Sequence, residues 1–295
     1  MNLQENVLPI ESGRIIGQQD RSLGAILIEE GKLSSVDIER ILELQRMEGL
    51  RFGEAALRLG LITAQDLSAA LAKQYDVPHV TADGDASSKE LIAAYQPFHR
   101  RVEELRALRT QLLIRWYNPD AGRKVLAVVS PGPGEGRTYV AANLALVFAQ
   151  LGERTLLIDA DMRAPRQHRL FNVPDRMGLS AALSGRADRS AVVACPDYGR
   201  LWVLPAGALP PNPQELLARH ALGILLKELQ ADFDMVIIDT PPAKLYADAQ
   251  AVAFRAQNAM VLARKNETRL ADTTTLVREF GDTGTHVVGT VINDF

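Results

Sequence analysis

Short apolar runs alternate with helix-length segments from Lys124 onward, and this alternation limits the fold more than any other feature. Six runs are strand candidates: residues 125–130, 155–161, 201–205, 235–240, 259–263 and 286–292. Most are continuously apolar, which is typical of parallel strands covered on both faces. Helix candidates such as residues 138–151 and 212–229 fill the intervals. We therefore predict an α/β fold with a doubly wound, mostly parallel sheet.

A glycine-rich segment joins the first strand candidate to the first helix candidate. It reads Ser-Pro-Gly-Pro-Gly-Glu-Gly-Arg-Thr over residues 130–138. In a strand–loop–helix unit of this kind, backbone N–H groups and the helix N-terminus point at a bound phosphate. Compared with the phosphate-loop pattern G-x-x-x-x-G-K-[ST], Pro131 replaces the first glycine and Arg137 replaces the lysine. The segment predicts a P-loop for ATP, and an ordinary strand-to-helix turn stays open as the alternative.

Carboxylates stand at the ends of two further strand candidates. Asp159 and Asp161 end the second run, and Asp239 lies near the end of the fourth. Ligands of open parallel sheets bind at the carboxyl ends of the strands. We expect these aspartates to surround Mg²⁺ beside the loop, with the Thr138 hydroxyl as a direct ligand, because Mg²⁺ prefers oxygen donors. A single aspartate at a strand end is often only a helix cap, but three beside a glycine-rich loop favour a nucleotide site.

Composition excludes several classes of protein. A net charge of -3 over 295 residues gives no overall attraction to nucleic acid, so no nucleic-acid partner is expected. The single cysteine, Cys195, rules out a disulfide framework. No segment reads as a signal peptide or as a membrane span. We expect a cytoplasmic protein that reaches the inner membrane only through a partner.

The region before residue 82 contains an internal repeat. The segment Ser-Leu-Gly-Ala-Ile-Leu at 22–27 recurs as Arg-Phe-Gly-Glu-Ala-Ala at 51–56, and Gln45 recurs as Gln74, each with an offset of 29 (51 − 22 = 29; 74 − 45 = 29). Each copy has apolar residues at helical spacing and an N-cap candidate, Ser34 or Ser35 in the first copy and Thr63 in the second. We predict two helix–turn–helix units that pack as a small helical domain.

The predicted organisation has four parts. They are a flexible arm at 1–20, the helical repeat domain at 21–81, a polar linker at 82–96 and the α/β domain at 97–295. A helix is expected over 97–116, with Glu103, Arg106 and Arg109 on roughly one face.

The motifs of the α/β region resemble those of the bacterial tyrosine kinases of polysaccharide export, a branch of the deviant P-loop ATPases. The resemblance covers residues 97–295 and rests on five patterns. They are Glu103-x-x-Arg106-x-x-Arg109, the loop at 130–138, Asp159-x-Asp161-x-Arg163, Asp239-x-x-Pro242 and the segments 204–207 and 210–217. The final Val-Ile-Asn-Asp-Phe makes the exopolysaccharide chain-length kinases of the EpsG type the nearest subgroup.

The resemblance implies a role for each matching residue. The implied nucleotide-binding residues are Pro133, Gly134, Glu135, Gly136, Arg137, Thr138 and Tyr139. The implied catalytic residues are Arg137, Asp159, Asp161 and Asp239, with Asp159 assisting the acceptor hydroxyl. The implied metal ligands are Thr138, Asp161 and Asp239. Glu103, Arg106 and Arg109 would form the subunit contact of a ring-shaped homo-oligomer, unless they are simply a solvated helix face.

Two departures from the kinase pattern bear on activity. Arg137 keeps the positive charge, but its planar fork is not equivalent to the point charge of a lysine. The six tyrosines are scattered, so they read mostly as structural residues, and autophosphorylation of a tyrosine-rich tail is not expected.

The repeat is similar to the N-terminal domain of type II secretion and type IV pilus ATPases, some of which bind cyclic di-GMP through tandem motifs. The matching residues are Leu23, Gly24, Gln45, Arg51, Gly53 and Gln74. The first copy has Ser22 where the motif has arginine. A plain docking module, with glycines in turns and leucines in a core, remains the alternative.

Together these features favour an ATP-dependent, tyrosine-kinase-like regulator of exopolysaccharide chain length, polymerisation and export. Its implied partner is a membrane chain-length determinant, or polysaccharide co-polymerase, whose cytoplasmic segment activates it. A non-kinase ATPase switch and a cyclic di-GMP receptor acting on the same export complex are the alternatives.

Overall fold

The computed structural model describes residues 22–75 and 90–294, which fall into two compact units, Met1–Asp76 and Val77–Phe295. The predicted arm and residues 82–89 of the predicted linker lie outside the described residues. None of the helices in the two described stretches has the length and apolar character needed to cross a membrane.

The first unit is a four-helix repeat, as predicted. Its helices are α1 (Leu23–Glu29), α2 (Ser35–Glu48), α3 (Phe52–Arg58) and α4 (Ala64–Gln74). The bounds of α3 are those of α1 shifted by 29, and α4 begins 29 residues after α2. Ser34 caps α2 in a capping box with Asp37, and Thr63 caps α4 in the same way with Asp66.

Small residues let the four helices approach closely. A Cβ at Gly24 would lie 3.2 Å from Ile38 Cδ1, and a Cβ at Gly53 would lie 2.8 Å from Leu67 Cδ1. Gly24 and Gly53 therefore each have a packing role against the long helix of their own copy. The core between them is apolar and includes Ile26, Leu27 and Ile41.

The pH dependence of α4 stability gives a first prediction. A hydrogen bond from the Lys32 side chain and hydrogen bonds with Thr63 lower the pKa of Asp66 to about 2. Since the folded pKa is depressed, the stabilisation is fully present above the unfolded pKa near 3.9 and is lost as the pH falls through about 2. Asp66→Asn should weaken amide-exchange protection of α4 at neutral pH, with the difference from the parent shrinking below about pH 4. Glu39→Gln, at an exposed position of α2, is the control; equal protection in all three proteins would contradict the assignment.

The second unit has helices on both faces of a seven-stranded sheet of order β3-β4-β2-β5-β1-β6-β7. The strands are β1 (Val125–Val129), β2 (Thr155–Asp159), β3 (Val193–Ala194), β4 (Leu201–Leu204), β5 (Met235–Asp239), β6 (Asn258–Arg264) and β7 (His286–Asn293). The helices are α5 (Ile92–Tyr95), α6 (Arg100–Arg115), α7 (Arg137–Gln150), α8 (Gln167–Leu170), α9 (Leu179–Leu183), α10 (Pro213–Ala218), α11 (His220–Asp232), α12 (Asp248–Ala256) and α13 (Leu270–Asp282). All strand pairs are parallel except β3–β4. The predicted doubly wound sheet and the preceding helical region are confirmed.

The structure corrects two boundaries. The single helix expected over 212–229 is two helices, because Arg219 between them has an extended backbone (φ −60°, ψ 153°) and the freed carbonyl of Ala218 accepts a bond from Arg255 Nη2 (3.1 Å). The linker expected to run to residue 96 ends earlier, because α5 is buried in the core of the second unit. Asn143 of α7 fixes this segment by accepting from Ala93 N (3.0 Å).

Candidate nucleotide site

Three strands with predicted functional residues at their ends are neighbours in the sheet. The order β2-β5-β1 brings the Asp159–Asp161 loop, the Asp239 end and the glycine-rich loop to one edge. Asp159 and Asp239 are direct register partners. The sheet topology thus explains why residues 80 positions apart share one site (239 − 159 = 80).

The glycine-rich loop has the backbone geometry of a phosphate cradle. Gly134 and Gly136 have φ values of 70° and 92°, in the left-handed region where a side chain is strained. Gly136 precedes α7, whose first residue is Arg137. The N-terminal N–H groups of this helix have no intrahelical partners and are free to bind an anion.

The Arg137 side chain is buried and directed into the loop. Its Nε donates to the Thr240 carbonyl (2.8 Å), and its Nη1 donates to the Gly132 carbonyl (2.6 Å) and to Ser130 Oγ. Burial lowers the pKa of Arg137, and the charges of Asp239 and Asp161 oppose that shift. Arg137 therefore ties the glycine-rich loop to the end of β5, a role that a lysine could fill only in part.

Replacing this residue tests that role. In Arg137→Lys, a single ammonium cannot reach all three oxygens in the fixed fork geometry, so at least one buried acceptor loses its partner. The free energy of unfolding of the second unit should fall by about 2 kcal/mol, measured by urea denaturation. The exposed Arg123→Lys is the matched control and should leave the midpoint unchanged. Equal midpoints for both variants would mean that the three bonds do not stabilise the loop.

The Glu135 carboxylate is engaged by groups of the protein itself. It accepts from Gly132 N (2.7 Å) and from the Thr268 hydroxyl, while the Glu135 carbonyl accepts from Asn293 Nδ2 (3.1 Å). The residue joins the loop to the segment after β6 and to the end of β7. Its predicted contact with the nucleotide can come only from the backbone. Thr268 and Asn293 were not identified as supporting residues, because nothing in the sequence order indicates that they meet the loop.

Asp159 shapes the loop that follows β2. Its carboxylate accepts from Asp161 N (3.2 Å), Arg166 N (3.1 Å) and Gln167 N (3.0 Å), and it is fully buried. Burial and the nearby charge of Asp239 raise the pKa of Asp159 well above its usual range. This placement does not support the expectation that Asp159 assists an acceptor hydroxyl, because both of its oxygens are engaged by backbone groups.

Gln167 is a site residue that the sequence did not reveal. Its Nε2 donates to Asp239 Oδ2 (2.9 Å) and to the Thr138 carbonyl (3.1 Å). The side chain is buried at the start of α8 and joins the strand-end carboxylate to the first turn of α7. A glutamine eight residues after a strand-end aspartate has no distinctive spacing, so only the fold identifies it.

Asp239, at the end of β5, is a candidate to act on a magnesium ion. Burial raises the pKa of Asp239 to about 6, against the effect of Gln167, Thr138 and Arg137, which lower it. Its Oδ1 is buried without a hydrogen-bond partner among the described residues. An orphaned carboxylate oxygen beside the Thr138 hydroxyl fits a metal-bound water or the metal itself.

The donor set also suits magnesium rather than a cation held by protein alone. Within residues 22–75 and 90–294, no three carboxylate, imidazole or thiol side chains converge on a common point. Mg²⁺ keeps several waters and is usually held by one or two carboxylates together with substrate phosphates. The predicted ligands Thr138, Asp161 and Asp239 fit that pattern.

Asp161 lies on the wall of the nucleotide cavity. Its Oδ1 accepts from Arg163 N (3.2 Å) and Ala164 N (3.0 Å). The neighbouring Arg163 pairs through two bonds with the fully buried Asp248 (2.8 and 3.2 Å), and its guanidinium lies 3.9 Å from the ring centre of Tyr246. Arg163 thus fixes the loop that carries Asp161 onto the start of α12.

A cavity of about 680 Å³ opens above the loop. Its lining includes Gly134, Gly136, Arg137, Thr138, Tyr139 and Asp161. Beyond these, α6 contributes Arg101 and Glu104, and the end of β7 contributes Asn293 and Asp294. The structure thus brings most of the predicted phosphate-binding residues to one cavity; Pro133, Glu135, Asp159 and Asp239 are not part of its surface lining.

The charged trio of α6 does not share one environment. Glu103 and Arg106 form an ion pair at the surface of the helix. Arg109 instead donates from Nη1 to the Val147 carbonyl of α7 (2.6 Å), and burial lowers the pKa of its guanidinium. The expectation of three charges on one open face therefore applies to Glu103 and Arg106 only.

The residues matched to a cyclic di-GMP motif all lie in the first unit, with different environments. Leu23 packs against the core, and Gly24 and Gly53 provide space between helices. Gln45 is half-buried, whereas Arg51 and Gln74 are exposed. The packing roles of the glycines agree with the docking-module alternative, and the exposed polar residues are compatible with a ligand.

Comparison with known proteins gives the same class of protein as the site does. A family model described as an AAA domain matches residues 123–269. Tyrosine-protein kinase YwqD of Bacillus subtilis is 37% identical over 185 residues, 63% of this chain and 77% of YwqD. Tyrosine-protein kinase wzc of Salmonella typhimurium is 33% identical over 69% of this chain but only 28% of its own length. The solved kinase domain of Escherichia coli tyrosine kinase ETK matches with a TM-score of 0.65 and 30% identity, over 69% of this chain and 79% of that domain.

The fold and the glycine-rich loop define a P-loop nucleotide-binding protein. The chain belongs to the bacterial tyrosine-protein kinase family. It spans less than a third of the length of several relatives that it matches, wzc among them. Kinship with P-loop kinases implies ATP and Mg²⁺ as the ligands of the site.

Proposed function

We propose that the second unit is an ATP-dependent protein tyrosine kinase that regulates the chain length, polymerisation and export of an exopolysaccharide. The observation that carries the proposal is the orphaned Asp239 Oδ1 beside Thr138, next to the phosphate cradle, in a chain related to tyrosine-protein kinases. A carboxylate oxygen left without a partner at that position is explained if a metal–nucleotide complex binds it.

The site residues act by positioning and by charge neutralisation. Bound ATP supplies the transferred phosphoryl group, and Mg²⁺ offsets its negative charge. The N–H groups of residues 134–138 hold the phosphates, and Thr138, Asp161 and Asp239 orient the metal and its waters. Arg137 fixes the position of the loop, and Gln167 fixes the position of the Asp239 carboxylate. Residues of α6 and of the end of β7 line the cavity in which the phosphates would lie.

The proposed setting is the cytoplasmic face of the inner membrane. We infer that the cytoplasmic segment of a membrane chain-length determinant, a polysaccharide co-polymerase, binds and activates the unit. Glu103 and Arg106 would contribute to the contact between subunits of a ring-shaped homo-oligomer. Glu103 is exposed and its partner Arg106 is half-buried, and the paired charges can exchange partners with a neighbouring copy.

A second candidate function is an ATPase switch without kinase activity. It is favoured by Arg137, whose Nε and Nη1 are already engaged by three oxygens of the protein itself. A cation held in this way has less freedom to follow the phosphoryl group during transfer, which would slow kinase chemistry more than nucleotide binding.

The product of ATP turnover separates these candidates. The purified chain is incubated with γ-labelled Mg-ATP and a Glu/Tyr copolymer, with and without the partner segment. Label on copolymer tyrosine supports the kinase, and free phosphate alone supports the ATPase switch. No turnover of either kind would refute both.

For the first unit we propose cyclic di-GMP binding. Lys32, Arg58 and Lys73 are each paired with a carboxylate, whereas Arg46 and Arg51 have no ion pair within the described residues. Arg51 is therefore available to an anionic dinucleotide, with Gln45 and Gln74 as further polar contacts.

Calorimetric titration of the full chain with cyclic di-GMP tests this binding. We expect saturable heat that Arg51→Ala abolishes and Arg46→Ala preserves. Absence of heat at micromolar ligand would leave a docking module as the role of the repeat.

A further inference from the structure

The chain has six tyrosines, and all of them lie in the described residues: Tyr75, Tyr95, Tyr117, Tyr139, Tyr198 and Tyr246. Within this sequence, these six are the candidate acceptors for a kinase that modifies its own chain. If the proposed kinase function holds, one of these tyrosines can be the acceptor. Which of them it is depends on which hydroxyl can leave its surroundings and enter a phosphate site.

Four tyrosines are held inside the second unit. The hydroxyls of Tyr95 and Tyr198 lie 3.3 Å apart, and Tyr198 also packs edge-on against Phe171. Tyr117 donates to the Asp234 carbonyl (3.2 Å), and burial raises the pKa of Tyr117 to about 12.

Tyr139 is held by the α7 helix that begins the site. Its hydroxyl oxygen is buried. It follows Thr138 in the first turn of α7, so moving it to a γ-phosphate would unwind the helix whose N-terminus holds the phosphates. None of these four can present a hydroxyl without disrupting the fold.

Tyr246 is only moderately accessible, with 37% of its surface exposed. Its ring is covered by the Arg163 guanidinium at 3.9 Å. The segment before it is anchored, because Ala243 N donates to the Ser130 carbonyl (3.0 Å) and Lys244 N donates to the Pro131 carbonyl (3.0 Å). This tyrosine belongs to the support of the nucleotide site and is not free to act as its substrate.

Tyr75 differs from the other five. It is 66% exposed and is the last described residue of the first unit, where it ends α4. Its backbone N–H donates to the Leu71 carbonyl (3.0 Å), but its ring and hydroxyl have no partner among the described residues. Among the described residues, no side-chain bond holds Tyr75 in place, so its hydroxyl can enter another site without breaking one.

We propose that Tyr75 is the tyrosine that this kinase phosphorylates in its own chain. In the transfer, Tyr75 Oη forms a bond to the γ-phosphorus of ATP. The bond from that phosphorus to the β,γ-bridging oxygen breaks, and its electron pair leaves with ADP. The phenolic proton passes to solvent.

Phosphorylation at this position has a predictable local effect. Tyr75 is the C-cap of α4, where the helix dipole and the unpaired carbonyls are negative. A phosphate carries roughly −1.5 to −2 charges at neutral pH and is unfavourable at a helix C-terminus. The last turn of α4 should fray on modification, which would loosen the end of the first unit.

Mapping phosphotyrosine by mass spectrometry tests the assignment. The full chain is incubated with Mg-ATP, and three variants are compared with the parent: Tyr75→Phe, Tyr198→Phe and Asp161→Asn. Tyr198 lies outside the lining of the nucleotide cavity. We expect phosphate on Tyr75 in the parent and in Tyr198→Phe, loss of phosphotyrosine in Tyr75→Phe, and none in Asp161→Asn. A parallel assay with the Glu/Tyr copolymer reports kinase activity independently of the acceptor.

The two assays distinguish failure of the acceptor from failure of the function. Copolymer phosphorylation with phosphate on another tyrosine of the chain, or on none, would overturn the assignment of Tyr75 and leave the kinase in place. No phosphotyrosine on either substrate would overturn the proposed kinase and the Tyr75 assignment together.

Discussion

Asp161→Asn is expected to lower the rate of ATP turnover by about 10²–10³-fold, because it removes a preorganised charge from the metal–phosphate site. The asparagine oxygen can still accept from Arg163 N and Ala164 N, so the loop after β2 should keep its shape. The substitution removes the negative charge at the cavity wall, which orients Mg²⁺ and its waters in the proposed function. Initial rates of phosphate release at saturating Mg-ATP measure the effect.

Asp175→Asn is the matched control for that charge. Asp175 is an exposed carboxylate that pairs with His168, on the same stretch of chain but outside the cavity lining. Its neutralisation should leave the rate unchanged. A rate for Asp161→Asn within twofold of this control would remove Asp161 from the catalytic set.

Gly178→Ala is expected to destabilise the second unit by about 3 kcal/mol, because the new methyl group would overlap backbone atoms that cannot move independently. A Cβ at this residue would lie 2.2 Å from the Pro205 carbonyl oxygen and 2.5 Å from Gly207 N. The backbone conformation itself is extended, so steric overlap alone causes the effect. Leu179 N donates to the same Pro205 carbonyl (2.7 Å), and this hydrogen bond would be lost as the two segments move apart.

Gly281→Ala provides the opposite expectation at a helical position. A Cβ at Gly281, within α13, meets no atom within 4 Å. Alanine there should raise the free energy of unfolding by about 0.5–1 kcal/mol, through lower entropy of the unfolded chain. Urea denaturation of both variants checks the pair, and a midpoint for Gly178→Ala equal to that of the parent would show that the backbone yields without cost.

Local pattern was sufficient to predict the framework of both units. The 29-residue offset predicted the repeat, and the N-cap residue Thr63 begins α4 where expected. Continuous apolar runs predicted six of the seven strands within about two residues. The two-residue strand β3 (Val193–Ala194) was missed because a segment this short has no periodicity and pairs antiparallel at the sheet edge.

Long-range contacts account for what the sequence did not reveal in the site. The position of Asp159 and Asp239 after apolar runs predicted that both end strands, but not that they are register partners with raised pKa values. Gln167 and Thr268 support the site from segments without any recognised motif. Arg137 was predicted to bind phosphate from its position, whereas its bond to the Thr240 carbonyl depends on the neighbouring strand.

The segment at 204–207 acquires a physical explanation from the fold. Its match to kinases gave no mechanism at the level of sequence. In the structure, Gly207 and Gly178 face each other at backbone distance, and Ser180 N donates to the Ala206 carbonyl (2.9 Å). The small residues of this segment are therefore explained by close packing of two loops.

The magnesium dependence of ATP binding tests whether Asp239 and Mg²⁺ belong to one nucleotide site. The full chain is titrated with a non-hydrolysable ATP analogue by calorimetry, with Mg²⁺ and with EDTA, and the same titrations are repeated on Asp239→Asn. We expect one saturable site whose affinity for the analogue falls by about tenfold or more on removal of Mg²⁺. In Asp239→Asn, we expect Mg²⁺ to increase the affinity little. Analogue binding that is equally tight with and without Mg²⁺, and unchanged in Asp239→Asn, would contradict the proposed site.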